Sequence, residues 1–148
     1  MQDQFPEIYL YRRIVQAKLF IDNNFGDKID LRGIADEAYF SKFHFIRLFK
    51  MAYGKTPHQY LTAVRINKAQ LLLQDDTSVT DTCFIVGFES LTSFVGLFKR
   101  ITGMSPSAYR QQQRERKIAI SNTPLHFIPN CFAAQNGWTG NSNFEEAI

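Results

Sequence analysis

Arginine and lysine crowd one stretch of this 148-residue chain without a single acid among them. Lys42, Arg47, Lys50, Lys55, Arg65 and Lys68 fall between Phe40 and Gln74, where no Asp or Glu occurs. A second basic stretch runs from Lys99 to Lys117 with Glu115 as its only acid. The acids gather before Ala38 and between Asp75 and Asp81, with only Glu89, Glu115, Glu145 and Glu146 beyond them. The net charge is only +3, so it is the segregation that suits a polyanionic partner. Charge alone fits a solvated face equally well. Chemistry of other kinds is thin. His44, His58 and His126 lack metal-ligand spacing, and Cys131 near His126 makes one weak pair. No Ser-His-Asp ordering and no glycine-rich phosphate loop occurs, so neither catalysis, nor a metal, nor a cofactor is expected.

Composition narrows the setting. Hydrophobic residues make up 45% of the chain and Phe alone contributes 14, enough for one domain with a packed interior but too little chain for two large ones. No run of some 18 apolar residues exists, and Met1 to Glu7 lacks the charged-then-apolar layout of a secretory signal. No membrane partner is expected. Cys83 and Cys131 stand 48 positions apart with no motif around them, which reads as reduced structural thiols and a cytoplasmic protein.

The basic stretches belong to an internal repeat. Leu31 to Leu61 (LRGIADEAYFSKFHFIRLFKMAYGKTPHQYL) matches Val79 to Arg110 (VTDTCFIVGFESLTSFVGLFKRITGMSPSAYR), with an offset of 48 up to Phe40/Phe88 and 49 from Ser41/Ser90 onward. The pairs Phe45/Phe94, Leu48/Leu97, Phe49/Phe98, Lys50/Lys99, Gly54/Gly103, Pro57/Pro106 and Tyr60/Tyr109 recur in order. Each copy reads as helix, tight turn, helix, stop and new helix. In the first, Asp30 caps a short helix with a staple between Ile29 and Ile34, and Ser41 caps a second with Phe45, Leu48, Phe49 and Ala52 on one face. Gly54 stops it, and Thr56-Pro57 opens the next. In the second, Ser78 with Asp81, Ser90, Gly103 and Ser105-Pro106 repeat the grammar. A first helix from about Glu7 to Asn24 places Ile8, Tyr11, Val15 and Leu19 on one stripe, ended by Gly26. Pro57 to Gln74 forms a connector of roughly 27 Å at 1.5 Å per residue, able to hold two reading helices about one DNA turn (~34 Å) apart. Strand signals are absent, so the fold class is all-α.

The segment FIVGFESLTSFVGLFKRITGMSPSAYR, Phe84 to Arg110, resembles the signature of the AraC/XylS family of transcription regulators, and the likeness extends from about Tyr9 to Gln113. The resemblance implies a seven-helix domain of two helix-turn-helix subdomains joined by the connector. It implies binding to an asymmetric site on double-stranded DNA and activation through RNA polymerase. The domain is then expected over residues 1–114, with a first unit at about 8–55, the connector at 57–74 and a second unit at 78–114. Gly87 stands where the second turn wants a left-handed residue, but its counterpart is Tyr39, which predicts another turn shape or a strain of order 1 kcal/mol. Family members carry a sensor domain upstream for which these residues leave no room, so control by abundance or by the tail is expected.

If Phe45, Leu48 and Phe49 are core, then Phe43, Ile46, Arg47 and Lys50 face outward, with Lys42 and His44 beside them. Arg47 is the expected reader, because its fork can grip guanine O6 and N7 together, and the family alignment puts a base-contacting arginine there. Phe43 and Ile46 would meet thymine methyls or sugar edges. Ser41, Lys42 and Lys50 suit phosphates. In the second unit Phe94, Leu97, Phe98 and Ile101 are expected in the core, leaving Leu91, Thr92, Val95, Gly96 and Lys99 outward with Ser93 beside them. This face is poor in long polar readers. Weak base contact through Leu91, Thr92, Ser93 and Val95 is expected there, with Ser90 and Lys99 on the backbone. Arg65 is placed with the phosphate contacts, and Lys68, Arg110 and Arg114 fit either a phosphate or solvent. Residues 115–148 read as a mostly looped extension packed on the domain: Pro124 and Pro129 bar a continuous helix, yet Leu125, Phe127, Ile128, Phe132 and Trp138 are too apolar for a plain tail. Two readers in one chain predict monomeric binding. A protein-interaction module docking on RNA polymerase or another regulator is the competing reading, supported by the outward Phe43, Ile46 and Val95.

Overall fold

Thr56 opens the helix that joins the two halves of the repeat. Its hydroxyl accepts from the Gln59 amide at 3.2 Å while the Gln59 side chain accepts from the Thr56 amide at 3.0 Å, so two donors of a fresh helix end are satisfied before Pro57 begins the first turn. The computed structural model describes residues 5–29, 32 and 42–122. Within them run α1 (Phe5–Asn24), α2 (Lys42–Tyr53), α3 (Pro57–Gln74), α4 (Val79–Ile85), α5 (Leu91–Thr102) and α6 (Pro106–Asn122). No strand occurs among the described residues, and no described helix is long and apolar enough to cross a membrane. The expected cap at Asp30, the Ile34 staple, the Tyr39 turn, the Ser41 cap and the tail from residue 123 onward lie outside the described residues; between Ile29 and Lys42 only Arg32 is described, and it is helical.

The connector is α3, with the bounds expected from sequence, Pro57 to Gln74. It packs against α1, α2, α4 and α6 and feeds two separate cores. Leu61 joins Ile14, Ala17, Ile21, Phe45 and Phe49 in one; Ile66, Ala69 and Leu73 join Cys83, Val86, Phe94 and Phe98 in the other. The repeat survives in ring geometry. Tyr60 meets Phe49 edge-on with centroids 5.7 Å apart, and Tyr109 meets Phe98 in the same way at 5.6 Å. Gly54 (φ 73°) and Gly103 (φ 86°) both end their helices left-handed, each amide reaching back four residues.

Three expectations about packing change. In α1 the buried residues are Ile14, Ala17 and Ile21, whereas Ile8, Tyr11, Val15 and Leu19 are 67%, 63%, 47% and 51% exposed. Apolar residues follow helical spacing on two faces of α1, and the core takes the one whose small Ala17 allows close approach. Ala52 and its counterpart Ile101 also turn outward; the next positions, Tyr53 and Thr102, complete the inner stripe, the Thr102 hydroxyl donating to Phe98 O at 2.7 Å. Finally, α6 continues to Asn122, eight residues beyond the expected domain end at Arg114 (122 − 114). Its basic residues close the C-terminal end of α3, where unpaired carbonyls attract cations. Arg110 and Arg114 sit 3.0 and 2.7 Å from the Asp76 carboxylate, and Lys117 donates to Gln74 O. They hold Asp76 at φ 67°, a left-handed conformation that Asp tolerates better than most residues.

Candidate nucleic-acid interface

The second unit is a complete helix-turn-helix. Ser78 caps α4, accepting from the Asp81 amide at 3.1 Å and donating to the Asp81 carboxylate at 2.6 Å. Gly87 turns the chain at φ 94°, and Ser90 caps α5 through the Ser93 amide at 3.3 Å. Phe94 and Phe98 pin α5 to the core. In the first unit Phe45 and Phe49 pin α2 in the same way.

With those anchors set, both helices present the same matched positions. On α2 they are Lys42, Phe43, His44, Arg47 and Lys50; on α5 they are Leu91, Thr92, Ser93, Gly96 and Lys99, and all ten are exposed. Phe43 is 79% exposed, a large ring that the domain itself leaves in solvent. Met51 and Arg100, which sequence reasoning did not select, extend the two faces. Ile46 and its counterpart Val95 are the exceptions. Each is half-buried and packed against its own core, so it flanks the face rather than crowning it. Ser41 lies outside the described residues.

Electrostatics sort the cations into two classes. Lys18 is paired with Asp22 at 2.7 Å, and Tyr60 donates to the other Asp22 oxygen at 2.7 Å. Arg110, Arg114 and Lys117 are engaged at the end of α3. Among the described residues, none of these ion pairs draws on Lys42, Arg47, Lys50 or Lys99. Among the described residues, no ion pair neutralises these four cations.

Arg65, grouped with the phosphate contacts by sequence, makes contacts within the protein. Its Nε donates to Phe25 O at 2.7 Å and its Nη2 to Asp27 O at 3.0 Å, and its guanidinium lies 5.7 Å from the Phe88 ring centre. Burial pushes its pKa down, as expected of a guanidinium taken partly out of water. These bonds commit two of the Arg65 donor nitrogens to carbonyls inside the protein. Cys83 is fully buried, and burial pushes its thiol up, which makes it an inert core residue.

Residues 34–112 match a family model described as a helix-turn-helix domain. The chain is 34% identical over 104 residues to the bifunctional transcriptional activator/DNA repair enzyme AdaA of Bacillus subtilis (strain 168), covering 70% of this chain and 49% of that protein. It is 38% identical over 89 residues to the MmsAB operon regulatory protein of Pseudomonas aeruginosa, covering 60% and 29%. The chain thus spans between about a third and a half of the length of these relatives. In structure it is similar to the DNA-binding domain of AdpA, a global transcriptional factor solved with a target DNA, with a TM-score of 0.65, 33% identity, and coverage of 70% of this chain and 94% of that one. It is also similar to the C-terminal domain of AraT, a response regulator from Geobacillus stearothermophilus, with a TM-score of 0.63, 25% identity, and coverage of 68% and 84%. The chain belongs to the AraC/XylS-type helix-turn-helix family of transcription regulators.

Proposed function

We propose that this protein binds double-stranded DNA sequence-specifically, laying α2 and α5 in successive major grooves from one side of the duplex. The observation that carries this reading is the matched set of exposed positions on the two helices, whose lysines and arginine form no ion pair among the described residues. The DNA-bound relative and the helix-turn-helix family support it. Arg47 reads bases and Phe43 and His44 flank it; Lys42, Lys50 and Lys99 contact phosphates, which position the protein without specifying sequence. One chain supplies both readers, so a monomer suffices. Transcriptional activation through RNA polymerase, in the cytoplasm, completes the reading. It accords with the word activator in the name of the B. subtilis relative.

Affinity for a duplex measured across salt concentrations tests the reading, with the stoichiometry taken from sedimentation. Phosphate-driven binding gives a linear fall of log K with log salt at about 0.9 per phosphate neutralised. A protein-docking module with incidental DNA contact gives a flat line. Strict dependence on a dimer and a palindromic site would refute monomeric binding.

A further inference from the structure

A single helix is a poor ruler for two reading heads, because each head can rock about it. Here the two units also touch directly, and the contact is made of backbone. The Phe25-Gly26 loop after α1 lies against the Ile85–Gly87 turn of the second unit. A Cβ on Gly26 would stand 2.8 Å from Ile85 O, and one on Gly87 would stand 2.8 Å from Phe25 O and 2.9 Å from Gly26 O. Two glycines from different units therefore face each other with no room for a side chain on either. Phe25 packs against both cores at once, and Lys68 of the connector lies 5.8 Å from its ring centre.

Arg65 closes this contact. It stands mid-connector, between Leu61 of the first core and Ile66 of the second. From there it clasps the carbonyls of Phe25 and Asp27 in the first unit and covers Phe88, the residue after the Gly87 turn, in the second. Three elements meet on one planar group whose donors fix direction as well as distance. We propose that Arg65, with the Gly26–Gly87 contact it clasps, is a positioning residue that locks the two reading helices in one relative orientation and so sets the half-site spacing the protein accepts. The part concerning DNA rests on the two-groove reading; the lock does not.

The consequence for DNA follows from helical geometry. One base pair added between half-sites rotates the second by roughly 35°, which a rigid pair of heads cannot follow. Losing the contacts of about one base pair then costs the wild type roughly tenfold in affinity. Loosely coupled heads would absorb most of that.

The experiment compares wild type with Arg65→Met, which keeps length but no donors, and with Arg65→Lys, which keeps the charge and one point of attachment. Nitroxides placed by Met51→Cys and Arg100→Cys in a Cys131→Ser background report the distance between the two units without DNA. Wild type should give one narrow distribution, Arg65→Met a broad one, and Arg65→Lys an intermediate one. Unlabelled wild type, Arg65→Met and Arg65→Lys, with Met51 and Arg100 intact, are then bound to duplexes with half-site spacing changed by one base pair either way. The wild-type preference of roughly tenfold should fall below about threefold in Arg65→Met. A merely structural arginine would lower melting temperature and weaken all probes alike without changing their ratio. If Arg65→Met fails to fold, Arg65→Lys carries both measurements. Distributions unchanged in the folded variants overturn the lock. Broadened distributions with an unchanged spacing preference overturn its role in site selection. A wild type indifferent to spacing contradicts the two-groove reading, and the label distances then decide the lock alone.

Discussion

Gly87 and Gly103 have nearly the same backbone conformation, at φ 94° and 86°, in opposite surroundings. A Cβ at Gly103 meets nothing within 4 Å, whereas one at Gly87 meets Phe25 O at 2.8 Å and both Arg65 Nη2 and Gly26 O at 2.9 Å. Alanine at each position therefore separates two costs. The left-handed conformation costs an L-residue about 1–2 kcal/mol, part of which is offset by the smaller entropy of the unfolded alanine chain, about 0.4–1 kcal/mol. Gly103→Ala should thus cost about 1 kcal/mol. Gly87→Ala adds a clash with two backbone oxygens that cannot rotate away. Overpacking of that kind costs typically 1–3 kcal/mol, for a total of about 2–4 kcal/mol. Urea denaturation of both variants reads the difference, and each 1 kcal/mol should also move the melting temperature by about 4 °C. Equal losses in the two variants would refute the close inter-unit contact. Gly87→Val should be worse than alanine, since a β-branched residue resists this region more strongly.

Other outcomes are equally specific. Arg47→Ala should lose about 1–3 kcal/mol on the preferred site and relax preference at one or two base pairs, while Lys99→Ala should weaken all sequences alike and lower the salt slope by about one; competition titrations distinguish them, and a uniform loss from Arg47→Ala would remove it from base readout. Phe98→Ala should destabilise by about 3–5 kcal/mol, but Ile101→Ala, at a half-exposed position, by less than about 1 kcal/mol; similar losses would restore Ile101 to the core. Burial pushes the Asp22 carboxyl up, but the Lys18 ammonium and the Tyr60 hydroxyl outweigh it and hold the group below its ordinary 3.8. Hydrogen bonding from Arg114, with Arg110 beside it, holds Asp76 low as well. Both are depressed in the folded state, so their stabilisation is present above about pH 4 and lost as pH falls through the folded values. Asp22→Asn should flatten the loss of stability below about pH 4 in urea titrations, and an unchanged acid limb would contradict that assignment.

Local chemistry was readable because each feature is decided within a few residues. Thr56, Ser78 and Ser90 cap the helices they precede, Gly54 and Gly103 end theirs, and the connector runs from Pro57 to Gln74. The repeat also carried the paired rings Phe49–Tyr60 and Phe98–Tyr109. What escaped was decided between elements. In α1 two faces are apolar at helical spacing, and only the partner helices select Ile14, Ala17 and Ile21. Ala52 and Ile101 fit the stripe by hydropathy, yet the amphipathic Tyr53 and Thr102 occupy it. Arg65 sits in a run of cations and reads as a phosphate ligand; nothing nearby in sequence reveals the carbonyls of Phe25 and Asp27, some 40 residues earlier. The helical stretch beyond Arg114 escaped because Pro124 and Pro129 marked the whole extension as loop, although Glu115, Arg116, Lys117 and Ala119 favour a helix.

Selection of binding sites from a random pool of duplexes tests the central claim most directly. The two reading faces differ at every matched position but the last: Lys42, Phe43, His44, Arg47 and Lys50 against Leu91, Thr92, Ser93, Gly96 and Lys99. Nothing on the second face matches the roughly 1–3 kcal/mol of discrimination available to a bidentate arginine. The enriched sequences should carry one well-defined half-site and one degenerate half-site, about one helical turn apart in an unbroken, non-palindromic arrangement. No enrichment, a palindrome, or equal information in both halves would contradict the account.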